Sequence, residues 1–126
     1  MRKAIIAILV SGFVFTTASA LSGEADVLEV SVRQAAAGAY AFSVTVAHGD
    51  TGWDHYSNRW QVLGPDGTVL GERVLLHPHE HEQPFTRSLS GIVIPEGIEE
   101  VTIRAGDSVH EFGGVELIVE LAASTE

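Results

Sequence analysis

The 126-residue chain contains no cysteine, which excludes a disulfide scaffold and any thiolate metal site. Methionine occurs once, as Met1, and lysine once, as Lys3, so the body of the chain offers no soft sulfur ligand and suits copper(I) less well than harder divalent ions. Basic charge is also scarce. Beyond Lys3 there are five arginines against all 17 Asp and Glu, and the formal net charge of the whole chain is −10. A polyanion of this kind is repelled by nucleic acid and by anionic membrane surfaces, so neither is expected as a partner. No helix-length window carries a 3.6-residue apolar period, and no repeat or low-complexity tract is present. The zinc-peptidase pattern H-E-x-x-H is missing because His110-Glu111 has no second histidine four residues on, and no G-x-S-x-G turn supports hydrolase chemistry.

What is present begins with Arg2-Lys3, the apolar run from Ala4 to Phe15, and the small-residue pattern Ala18-Ser19-Ala20. This is the layout of a secretory signal peptide over residues 1–20, too short in its apolar part for a stable membrane anchor. Cleavage after Ala20 would start the mature chain at Leu21 and leave one domain, residues 21–126, in the periplasm or outside the cell.

Within that domain the apolar residues alternate. Tyr40, Phe42, Val44 and Val46 recur at spacing two, as do Val101, Ile103 and Ala105, and Val115, Leu117, Val119 and Leu121. Turn residues separate the runs, at Ala37-Gly38, Pro65-Asp66-Gly67, Pro95-Glu96-Gly97 and Gly113-Gly114. The pattern predicts seven strands, at about 26–33, 39–48, 58–64, 68–76, 85–94, 100–106 and 115–121. Seven short strands at this spacing predict an all-β, antiparallel sandwich of immunoglobulin or fibronectin-III type, with Trp60 as a core anchor.

The six histidines, His48, His55, His77, His79, His81 and His110, fall in alternate connections: residues 48–56, 77–84 and 106–111. In an antiparallel sandwich alternate connections emerge at one end, so all six are predicted to share that end. The other three connections carry no histidine and no aromatic residue. His77-Pro78-His79 has the strongest metal-ligand character, since residues i and i+2 of an extended segment share a face and the proline biases His77 towards extension. His48, His55 and His110 would complete the set from neighbouring loops, with His81 a further candidate. Asp50, Asp54, Asp107 and Glu80 could add oxygen ligands or orient an imidazole. Imidazole and carboxylate suit copper(II), zinc(II) or nickel(II), the first two being the expected ions. Trp53 and Tyr56, beside Asp54 and His55, could instead stack a sugar or cap a ligand.

Residues 51–56 (TGWDHY), 69–79 (VLGERVLLHPH) and 82–89 (EQPFTRSL) resemble stretches of small secreted proteobacterial proteins of unknown function. The resemblance covers most of the mature chain and implies export, with no activity or catalytic residue attached. Periplasmic β-sandwich copper carriers and superoxide reductase match poorly, the former for want of methionine ligands and a ligating first residue, the latter for want of cysteine. The expectation is a non-catalytic exported protein that binds a divalent transition metal through His77, His79 and some of His48, His55 and His110. A secreted interaction module recognising a protein or glycan through the same loops is the alternative.

Overall fold

The computed structural model describes residues 23–121. The predicted signal peptide and the new N-terminus at Leu21 lie outside the described residues. Within them eight strands and no helix are found: β1 (Asp26–Ala36), β2 (Ala39–Ala47), β3 (Ser57–Leu63), β4 (Val69–Val74), β5 (Phe85–Val93), β6 (Glu100–Asp107), β7 (Glu111–Phe112) and β8 (Leu117–Glu120). All pairings are antiparallel, in a three-stranded sheet of order β1-β2-β5 and a five-stranded sheet in which β4, β3 and β6 run side by side.

The difference from the expected seven strands lies along the outer edge of β6. Both β7 and β8 pair with β6, β7 at Gly106 and Asp107 and β8 from Glu100 to Ile103. The glycine pair at 113–114, predicted as a separator before the last strand, instead interrupts that edge. Its reason is a close approach: a Cβ on Gly114 would lie 2.0 Å from the Ala25 carbonyl oxygen. Only glycine admits the N-terminal segment there. That segment is then tied down by the Asp26 carboxylate accepting the Val115 N–H at 2.7 Å and the Val27 N–H donating to the Val115 carbonyl at 2.9 Å.

Alternation sends Phe42, Val44 and Val46 of β2 inward to meet Trp60 and Val62 of β3 and Val101, Ile103 and Ala105 of β6, so the two sheets share one core. Trp60 is fully buried. On the opposite face of β2, Ser43 and Thr45 bond across the ladder to Ser88 and Thr86 of β5, at 2.8 and 2.7 Å.

This packing fixes the two ends of the domain. At one, the Ile94 N–H donates to the Gly38 carbonyl and Ile98 packs near Gly64, which brings the Gly38, Pro65 and Pro95 turns together. At the other, β2 and β6 finish and β3 and β5 start, as the pairs Val46 with Phe85 and Ser57 with Asp107 show. The histidine-bearing loops leave from this second end.

Candidate metal centre

Asp107, the last residue of β6, organises the loop end. Its Oδ1 accepts the N–H groups of Val109 (2.8 Å) and His110, a side-chain turn that reverses the chain. Glu111 follows in the left-handed region, at φ 61°. The reversal carries the His110 ring back over the carboxylate that made the turn. Its Nδ1 lies 3.1 Å from Asp107 Oδ2.

Residues 48–56 bring two more imidazoles to the same oxygen. His48 Nε2 is 3.1 Å and His55 Nε2 3.6 Å from Asp107 Oδ2, and His55 Nε2 is 3.2 Å from His110 Nδ1. The loop is shaped by a bridge between Gly52 and His55, which leaves Trp53 and Asp54 at its tip. It is tied to the β6–β7 turn by the Ser108 N–H donating to the Tyr56 carbonyl and the Tyr56 N–H donating to Ser108 Oγ. His48 and Asp107 have no exposed side-chain surface, whereas His55 and His110 keep 25% and 35% of theirs. The cluster therefore has a dry floor and a half-open rim.

Asp50 supports the floor. One oxygen accepts from His48 Nδ1 at 2.5 Å and from the Ser57 N–H at 3.2 Å; the other accepts the His79 N–H at 2.7 Å. An ionised carboxylate only accepts, so Nδ1 of His48 carries a proton. Its Nε2 then turns towards Asp107 Oδ2 as a second nitrogen facing a second carboxylate. Two lone pairs cannot meet at 3.1 Å without a cation between them, which must be a proton or a metal ion.

Burial is the largest influence on the Asp107 carboxyl and pushes its pKa up. The N–H groups of His110 and Val109, the His110 ring and the His48 charge together outweigh it, and the net direction is downward from 3.8. Burial, then Arg87 and His77, lower the His79 imidazole below 6.5 against the opposing pull of Asp50 and Glu82.

The structure thus brings His48, His55, His110 and Asp107 together, and places Asp50 behind them as the orienting group. His48, His55 and Asp107 offer ligand atoms all within 4.8 Å of one another. His77 and His79 stand apart from that group. Residues 77–79 form no strand, yet the two rings lie side by side, 4.8 Å between centres and tilted by 37°. His77 is exposed, and His79 is buried with its ring stacked on Phe85 at 4.0 Å and 8°. The Gln83 side chain joins the two loops, accepting from the His48 N–H at 3.0 Å and donating to the His79 carbonyl at 3.1 Å. Nothing in its sequence context marked Gln83 for that task, because a glutamine in a polar loop carries no spacing signal. Asp54 and Glu80 stay exposed, as does His81. Trp53 is 66% exposed and sits edge-on to Tyr56, 5.4 Å between ring centres.

No family model matches the chain, and no solved structure is significantly similar to it. A protein of Halomicrobium mukohataei named "Putative lipoprotein" is 43% identical over 97 residues, 77% of this chain and 47% of that protein. The chain therefore spans about half the length of the curated relative it matches.

Proposed function

We propose that the protein is an exported, non-catalytic binder of one divalent transition-metal ion at His48 Nε2, His55 Nε2, His110 Nδ1 and Asp107 Oδ2. The observation that carries this is a set of separations. A tetrahedral ion with bonds of ~2.0–2.1 Å holds its ligand atoms about 3.3 Å apart. Four of the six pairwise separations among these atoms are 3.1, 3.1, 3.2 and 3.6 Å; the three atoms of His48, His55 and Asp107 all lie within 4.8 Å of one another, and His110 would close onto an ion held by those three. The donor set, three imidazoles and a carboxylate without sulfur, suits zinc(II) first and copper(II) second. Four protein ligands leave no open position, which favours holding the ion over activating water on it. Asp50 behind His48 is the outer carboxylate expected of an imidazole ligand.

Export is supported by the leader-like pattern of residues 1–20 and by the relative's name. The 126 residues hold no cysteine for a thioether-linked lipid, so the relative's lipoprotein label does not extend to an anchor within them. The strand order, β1-β2-β5 against β4-β3-β6, supports an immunoglobulin or fibronectin-III-like sandwich. The exposed Trp53 with Tyr56 supports a second reading, an interaction surface for a protein or glycan on the same loops.

Isothermal titration of tag-free protein with zinc(II) tests the first reading. Binding should be saturable, and His55→Ala or His110→Ala should weaken it by about 100-fold or more, beyond the ~10–100-fold typical of an outer partner. Equal uptake by wild type and both variants would transfer the loops to the interaction reading.

A further inference from the structure

His79 is an anomaly in the loop that ends at β5. Its side chain is 3% exposed, yet neither ring nitrogen has a hydrogen-bond partner. Buried imidazole nitrogens in that state call for an explanation, because phenylalanine would stack on Phe85 as well and bring no polar atoms. The stack fixes the plane of the ring and leaves Nδ1 3.9 Å from Asp50 Oδ2. That oxygen already accepts the His79 N–H at 2.7 Å, and a carboxylate oxygen has a second lone pair to offer. His77 lies on the open side, its ring centre 4.8 Å from that of His79. Its Nδ1 is 3.0 Å from the Pro78 carbonyl oxygen and so carries the proton, which leaves Nε2 as a free lone pair. Arg87, the nearby cation, is neutralised by Glu82 at 3.0 Å.

We propose that His79 Nδ1, Asp50 Oδ2 and His77 Nε2 hold a second divalent transition-metal ion, separate from the four-group centre. The 3.9 Å gap is wide enough to take an ion between the two atoms. Two bonds of ~2.0–2.1 Å span it at an open angle, and a closing of about half an ångström makes that angle tetrahedral. The exposed His77, its ring centre 4.8 Å from that of His79, would supply the third ligand by turning its ring inward, which gives up the Pro78 contact, and water could reach the ion only from that open side. Asp50 serves both sites, through different oxygens, but His79 takes no part in the four-group centre and His55 none in this one, so variants at those two residues report on the sites separately.

Native mass spectrometry of tag-free protein titrated with zinc(II) counts the ions. The expected result is two per wild-type chain and one fewer in His79→Phe, which keeps the stack and the backbone N–H. His77→Ala, at an exposed position, should weaken the same uptake by about tenfold or more without touching the core. A wild type that binds one ion and loses it in His79→Phe, while His55→Ala keeps it, would support this site and count against the four-group centre. An unchanged count in both His79→Phe and His77→Ala, or no uptake by wild type, overturns the proposal.

Discussion

The two ends of the domain are built on different principles. At the turn end each reversal is closed by residues adjacent in sequence: Asp66 accepts the Thr68 N–H at 3.0 Å, and Gly67 and Gly97 supply φ values of 88° and 98°. At the loop end the closing bonds join residues far apart, Asp107 to His48, Ser108 to Tyr56, Asp50 to His79 and Gln83 to His48. The first kind of structure is paid for locally and tolerates change. The second depends on three loops arriving together, and a polar cluster with a dry floor survives only if each member is satisfied.

The largest effect expected sets the scale for both ends. Trp60→Ala, in the core between them, should cost about 3–5 kcal/mol in urea unfolding, equally with and without zinc. If zinc offsets the loss selectively, the core and the loop end are coupled more tightly than their contacts imply. Next comes Asp107→Ala, which leaves the N–H groups of Val109 and His110 without their acceptor and removes the oxygen that gathers three imidazoles. A loss of about 2–4 kcal/mol in the metal-free protein, together with loss of zinc binding, is expected. Stability that falls while zinc affinity stays would separate the cluster's structural role from metal binding.

Acidification should act mainly on the loop end. A group whose folded pKa is depressed leaves the unfolded chain holding more protons in the window between its two values, so stability present above the ordinary value is lost as pH falls through the lowered one. For His79 that window opens just below 6.5, and for Asp107 just below 3.8. The metal-free protein should therefore weaken in two stages on acid titration followed by circular dichroism. In His79→Phe the first stage should shrink. A wild-type curve flat from neutrality to pH 4 would contradict the assignment for His79. The smallest effect is reserved for the turn end: Asp66→Ala should leave the thermal midpoint and the zinc affinity where they are, since the carboxylate is exposed and bonds only to its own turn.

The same contrast explains how much of the molecule was legible in the sequence. Strand alternation and turn residues are local signals, and the expected positions for β1 to β6 match the observed ones within a few residues. The turn end could be read for the same reason. The parity of the connections brought His48, His55 and His110 to one end, but it could not say which side chain would gather them. Asp107 does so because its own carboxylate folds the β6–β7 turn, and the sequence marks it only as one of four candidate acids, with Asp50, Asp54 and Glu80, in the histidine-bearing loops. His77-Pro78-His79 attracted the strongest ligand reading on its spacing. The segment joins no strand; the His79 N–H is held by Asp50 and its ring by Phe85, two contacts with partners distant in sequence. Gly113-Gly114 read as a turn, although its meaning lies in the passage of Ala25 beside it.

Zinc-edge X-ray absorption of the tag-free protein loaded with one equivalent of zinc tests the central claim most directly. A first shell of four nitrogen or oxygen atoms at ~2.0–2.1 Å, with the outer-shell scattering of imidazole rings that weakens in His110→Ala, is the expected result. A six-coordinate shell of water-like oxygen, unchanged by His110→Ala, would contradict it.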